Sequence, residues 1–402
     1  MPKYPIAPSD RKVFLEQRRK IKMAESAHAF VRGSTAQFYK WLGEDVASKA
    51  IPVGPPIWIC GDCHIGNLGP VADSEGNVEI QIRDLDQTVI GNPAHDLLRL
   101  ALSLAMAARS SDLPGTTTAL MVEVLIENYI LGLNRRKPRV KPTSVAPVQK
   151  VMRSALSRKW RHLAEERIED IEPKIPLGPK FWALTVDELD ELKKIFSASS
   201  EPQLKRSLGL DKNDRKVKLL DAAYWMKGCS SLGRVRYAVL MGIGKKRARK
   251  HRLIDVKEAT DPLAPRAVGS DMPKGNAERV VTGARKLSPF LGDRMDFAML
   301  GPRQVVVREL RPQDLKFEFD GLSREEAILT AGLLAGVVGR AHGRQLKEPD
   351  RKSWSKELTR SQTKGLEAPT WLWRGVTSLV AAHEGLYLTH CRDFALAGEK
   401  QD

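Results

Sequence analysis

A chain of 402 residues is too long for one ordinary compact core and suits two lobes. Its apolar fraction of 42% and charged fraction of 29% exclude a disordered or fibrous chain, and its four cysteines are too few for a disulfide framework. The balance of 66 Lys+Arg against 49 Asp+Glu gives +17, a field that attracts nucleotides, phosphorylated metabolites, nucleic acid or acidic lipids, or else a solvated cationic surface. The longest apolar runs, Leu100 to Ala108 and Ala327 to Gly339, are too short to span a bilayer. The N-terminal residues carry no export-signal core, so no membrane span and a cytoplasmic location are expected.

Residues 10–48 read as mainly helical, with Phe30, Phe38, Trp41 and Leu42 on a buried face. Pro52, Pro55 and Pro56 end that helical stretch, and Ile57 to Cys60 form a short apolar run leading into Gly61-Asp62. VEIQIR (78–83) alternates as a strand should, and a helix resumes from Ala94. Residues 110–215 read as mostly helical and charged, with a loop at Ser197 to Ser207. A glycine- and serine-bearing turn at Gly228–Gly233 then precedes strand-like runs at Val235–Leu240 and Leu253–Val256. Between these runs, Lys245 to Arg252 (KKRARKHR) reads as a basic hairpin tip, with nucleic-acid contact as the alternative. A helix at 276–287, a strand at Gln304–Leu310 and an apolar helix at Arg324–Arg344 follow, with more helix to the end.

Chemistry concentrates in ICGDCHIGNLG (59–69), where a strand delivers Asp62 into a loop and Asn67 follows five residues later. A second acidic pair, Asp84 and Asp86, ends the next strand in IRDLDQT. Phosphoryl transfer needs such a set: one carboxylate to orient or deprotonate the attacking group, an amide oxygen and another carboxylate to hold a metal. The spacing D-x-x-x-x-N is weak alone and gains force from the second Asp and from NPAHDLLRLALS.

GDCHIGN…IRDLDQTVIGNPAHDLLRLA resembles the active-site region of aminoglycoside and choline phosphotransferases, which have kinase-like folds. The resemblance implies Asp62 as catalytic base and Asn67 and Asp84, with Asp86 beside it, as magnesium ligands. It implies His64 as a structural loop residue and Asp96 as a loop-supporting carboxylate, while Cys60 stands where the relatives usually carry His. In ordinary kinases the phosphate-covering loop and its lysine precede the catalytic loop. Here they follow it: GCSSLG supplies Gly228, Ser230, Ser231 and Gly233, Lys257 ends a later strand, and Glu278 on the next helix could pair with it. QVVVREL would be the hinge, with adenine contacts near Arg308 to Leu310.

That order implies a circularly permuted, two-lobed α+β protein-kinase-like (aminoglycoside phosphotransferase-like) fold. Residues 1–215 would form the first part of the helical lobe, 216–318 the small β-rich nucleotide lobe, and 319–402 the remaining helices. The layout, including Phe30-Val31-Arg32-Gly33, resembles the uncharacterised bacterial family of domain of unknown function 2252 over nearly the full chain. The activity so implied is ATP- and Mg²⁺-dependent phosphoryl transfer to an unidentified hydroxyl acceptor. A silent nucleotide-binding pseudokinase scaffold and AMP transfer are the alternatives.

Each position also has a plainer reading. Asp62 and Asn67 could form a capped turn, Asp84 and Asp86 a solvated strand end, GCSSLG an ordinary turn, and Lys257 and Glu278 surface charges. Arg32 reads as a structural ion pair or as a receptor for a substrate anion. Cys60 to His64 also spell C-x-x-C-H, the spacing of haem attachment or, in part, of a redox or zinc site. Cys229 and Cys391 offer no partner spacing for that alternative.

Overall fold

The computed structural model describes residues 7–137, 145–158, 174–197, 217–228, 232–243, 250–315, 321–360 and 368–398. Helix α1 (Pro8–Ala24) opens on a proline, whose missing N–H is harmless in the first turn. Helix α2 (Ala27–Val31) is capped by the Ser26 hydroxyl, which accepts from the Ala29 N–H, and α3 (Thr35–Glu44) follows. Four short strands come next: β1 (Ile57–Ile59), β2 (Leu68–Ala72), β3 (Val78–Ile82) and β4 (Val89–Gly91). They pair antiparallel as two separate ribbons, β1 with β4 and β2 with β3. Asn92 caps α4 (Pro93–Ser110), whose apolar sequence is buried along almost its whole length.

Helix α5 (Gly115–Leu133) is apolar where the sequence reading expected charged helix; α6 (Ala146–Ser157) follows. By length and composition α5 could cross a membrane, but half of it is buried inside the fold, against a later helix.

The second unit is a six-stranded antiparallel sheet. Its elements are β5 (Phe181–Trp182), α7 (Val186–Ser197), β6 (Val217–Trp225), β7 (Arg236–Ile243), β8 (Lys250–Glu258), α8 (Asn276–Leu287), α9 (Pro289–Gly292), β9 (Met295–Leu300) and β10 (Arg303–Glu309), in strand order β5-β6-β7-β8-β10-β9. Alternation sorts β7 between two apolar clusters: Tyr237, Val239 and Met241 face one, Ala238 and Leu240 the other. With both faces covered, β7 is buried throughout and reads as one continuous apolar run.

This unit is larger than the expected 216–318. β5 pairs with β6, stacking Trp182 on Tyr224 with ring centroids 5.6 Å apart, and Leu15 of α1 joins the same cluster. A two-residue strand carries no periodicity to read. Of the basic run expected as a tip, Lys250 to Arg252 belong to strand β8, with Ile243 opposite Lys250; residues 244–249 fall outside the described residues.

The chain closes with α10 (Arg324–Gly343), α11 (Glu348–Leu358) and α12 (Thr370–Gly398). A capping box between Ser323 and Glu326 starts α10. Helices α5 and α10 pack backbone to backbone: a Cβ on Gly339 would lie 2.2 Å from the Tyr129 carbonyl oxygen. The largest apolar cluster joins α4, α5 and α10 and also takes Val280, Val281, Ala284 and Leu287 of α8. Helix α8 therefore belongs to both units, and the site lies where they meet. The molecule is an α+β protein.

Candidate active site

The loop after β1 is held by α4. Asp96, in the first turn of α4, accepts from the Cys60 N–H at 2.7 Å and the Gly61 N–H at 2.9 Å. His342 Nε2 lies 3.2 Å from Asp96 Oδ2, and its Nδ1 lies 2.9 Å from the Tyr129 hydroxyl. A carboxylate can only accept, so Nε2 carries the proton and Nδ1 receives the tyrosine O–H. Trp354 Nε1 donates to the same hydroxyl at 3.3 Å, completing a buried chain from the loop to α11. Gly61 sits at φ +75, and a Cβ there would meet the Gln87 carbonyl oxygen at 2.2 Å. Only glycine fits that corner.

Asp62 is 6% exposed, and its carboxylate turns toward the interior. Arg99 Nε donates to Oδ1 at 2.9 Å, while Oδ2 lies 3.9 Å from His64 Nε2. Burial raises the Asp62 pKa, and Arg99 and Thr35 hold the rise back. Asn67 Nδ2 donates to the Asp62 carbonyl at 2.9 Å. A carbonyl cannot donate, so this contact fixes the amide orientation and leaves Asn67 Oδ1 for another partner. Burial, with Arg99 and Arg32 nearby, holds the His64 imidazole neutral, well below its ordinary pKa.

Between the two units lies a cleft, partly open to solvent. His64, Gly66 and Asn67 line one side, Lys257, Asp255, Arg236 and Arg308 of the sheet the other, and Asp84 and Asp86 lie between them. Asp62 is one layer behind this wall, a correction to the expectation that its carboxylate opens on the cleft. The sheet register explains the charged face. Arg236 is opposite Lys257, and Arg308 opposite Asp255, so all four share one side.

Lys257 Nζ lies 3.5 Å from Asp84 Oδ1 and in closer contact with Asp86 Oδ2. Burial opposes the Asp84 charge, but Lys257, Arg236 and Arg308 hold its carboxyl well below the usual range. Burial and the Asp84 charge push Asp86 the other way, to a raised pKa. Asp255 receives Arg236 at 2.8 and 2.5 Å and Arg308 at 3.1 Å.

Glu278 does not pair with Lys257. It is exposed, because the helix turns the adjacent Arg279 inward instead. Arg279 donates to the backbone carbonyls of Asp86, Thr88 and Thr260, tying α8 to the acidic loop. Gly228, at φ +90, lines the cleft, and Gly233, at φ +92, is exposed beyond it. Ser230 and Ser231 lie outside the described residues.

Arg32 lines the cleft beside Gly66. Arg308 lines it too, but Leu310 is buried in an apolar cluster on the sheet, so the apolar lining comes from Val280, Leu291, Met295 and Val306 instead. Cys60 and Cys63 are 0% and 1% exposed, which leaves no open sulfur for a haem.

Arg99, Arg236 and Asp255 escaped the sequence reading, which named Arg308 only for adenine contacts. A lone arginine within LLRLALSLAMAA was the available signal, since a buried helix keeps such a residue only when it is paired.

Fold and site define an α+β protein of two units with a charged cleft at their junction. Residues 14–393 match the family described as "Uncharacterized protein conserved in bacteria (DUF2252)", and the chain belongs to that family. No curated protein and no solved structure matches the chain.

Proposed function

We propose that the cleft binds ATP with magnesium and transfers the γ-phosphoryl group to an acceptor hydroxyl, in a circularly permuted kinase-like fold. The observation that carries this is the convergence of Asn67, Asp84 and Asp86 on one cleft with Lys257, which comes from a distant segment of the chain. The order of a glycine turn between β6 and β7, a lysine at the end of β8, helix α8 and then strand β10 supports it further.

Magnesium suits the donors present. Asn67 offers a free amide oxygen and Asp84 a carboxylate kept charged, both hard oxygen ligands. When bound, magnesium would neutralise developing phosphate charge. Lys257 and the arginines of the sheet bind and orient the phosphates, and Gly228 allows close backbone approach. The bond from the γ-phosphorus to the bridging oxygen breaks as the acceptor oxygen bonds to phosphorus, and ADP leaves. The acceptor proton leaves toward Asp62 Oδ2 behind the cleft wall, across His64, which lines the cleft with its Nε2 3.9 Å from that oxygen. A buried carboxylate with a raised pKa is the stronger base for that task.

One observation favours a second reading, a silent nucleotide-binding protein: Lys257 already pairs with both Asp84 and Asp86. ATP turnover separates the two. With magnesium and a metabolite extract, mass spectrometry should find ADP rather than AMP and pyrophosphate. Asp62→Asn should cut turnover by about 10²-fold or more while changing Mg-ATP affinity by roughly 1 kcal/mol or less. Unchanged consumption in Asp62→Asn would remove Asp62 as base, and no turnover in the wild type would favour the silent protein.

A further inference from the structure

Six cationic side chains line the cleft, Arg32, Arg83, Lys227, Arg236, Lys257 and Arg308, against three carboxylates, Asp84, Asp86 and Asp255. Magnesium-bound ATP brings roughly two net negative charges, too few to cancel this excess.

The excess is also unevenly placed. On the sheet, Lys257 has Asp84 and Asp86, while Arg236 and Arg308 share Asp255. On the other side, beside Asn67, Arg83 donates to the Asp314 carbonyl, and Arg32 makes no ion pair among the described residues.

Arg32 is held in place relative to the base. Arg99 donates to the carbonyl of Val31, the preceding residue, and also to Asp62 Oδ1. The side chain runs beside Gly66, where a Cβ would lie in ordinary contact with Arg32 Nε at 3.6 Å.

We infer that the acceptor is a small molecule carrying an oxyanion, phosphate or carboxylate, near its hydroxyl, and that Arg32 with Arg83 receives that group. The inference rests on the phosphotransferase reading. A guanidinium presents a planar fork that matches an oxyanion. Both arginines are half-buried within the cleft, which suits a small ligand better than a polymer surface. Transfer then yields ADP and a phosphate ester of the anionic acceptor, the hydroxyl proton leaving through Asp62.

The test titrates inorganic phosphate into the full chain saturated with Mg–AMP-PNP, whose own γ-phosphate fills the transfer position. Phosphate should bind the wild type, about tenfold or more weaker in Arg32→Ala and Arg32→Gln, and less reduced in Arg32→Lys. AMP-PNP affinity should stay within about twofold. If melting shows that the Arg32 variants do not fold, Arg83→Gln carries the same expectation. A parallel titration with acetate separates the two sources: tighter phosphate marks a phosphate-bearing acceptor, tighter acetate a carboxylate-bearing one.

Equal phosphate binding by wild type and variants, with AMP-PNP still bound, overturns the acceptor subsite and leaves the phosphotransferase reading standing. Arg32-dependent phosphate binding without AMP-PNP binding overturns the phosphotransferase reading and the acceptor role with it. Binding of neither overturns both.

Discussion

Arg99 Nε meets Asp62 Oδ1 at 2.9 Å in the interior, with the guanidinium 5.5 Å from the Phe38 ring centre. The pair is almost closed to water, at 1% and 9% side-chain exposure. Arg99 therefore does two things at once: it compensates a buried charge and sets the direction in which the Asp62 carboxylate points.

Arg99→Leu should cost about 3–5 kcal/mol at pH 7, because it leaves a buried carboxylate without its partner. The cost should shrink as pH falls. With Arg99 gone, the folded-state pKa of Asp62 rises further above its ordinary 3.8. A carboxyl raised in this way favours the fold at low pH and loses that contribution as pH rises through the folded value. Urea unfolding of both proteins from pH 4 to pH 8 reads this directly, and a gap independent of pH would show that Asp62 is not its source.

Gly61→Ala tests the corner that delivers Asp62. The left-handed backbone and the 2.2 Å approach to Gln87 act together, so relief requires the loop to move away from Gln87. A loss of about 3 kcal/mol is expected. Alanine tolerated with a change below about 0.5 kcal/mol would mean that the loop is not fixed as described.

The local part of the site was readable from sequence because its residues are close together. Asp62, Asn67, Asp84 and Asp96 fall in one stretch, where strand ends and a helix start dictate their placement. Contacts between distant segments were not readable. Which face of α8 turns inward depends on packing against two units, and a rotation of one residue exchanged the expected Glu278 for Arg279. Asp255 was within reach, since two residues before Lys257 on a strand is the same face. Strand β5 offered two residues and no pattern.

Asp255→Asn should be strongly destabilising, by about 3–5 kcal/mol at pH 7, since Arg236 loses its buried partner. Burial opposes the Asp255 charge, yet Arg236 and Arg308 hold its carboxyl well below the ordinary 3.8. A depressed carboxyl contributes stability above its unfolded pKa and loses it as pH falls through the folded value. Wild type should therefore lose stability steeply below about pH 4, and Asp255→Asn should show a shallower decline. Parallel acid profiles would assign the decline to other groups.

Asp84→Asn addresses the metal. ATP stabilises the fold only through its affinity for the folded state, so its effect on melting reports binding without requiring turnover. If Asn67 and Asp84 hold magnesium, the rise in melting temperature with ATP should need Mg²⁺ in the wild type and fade in Asp84→Asn. The substitution also removes the charge that raises the Asp86 pKa, and it leaves Lys257 with one carboxylate instead of two. Asp86 should then ionise at lower pH, and Lys257 should settle on it, so ATP without magnesium should fare no better in the mutant. Scanning calorimetry with ATP, with and without Mg²⁺, covers all four combinations. Equal stabilisation of wild type and Asp84→Asn by Mg-ATP would remove Asp84 from the metal site and leave it as a partner of Lys257 alone.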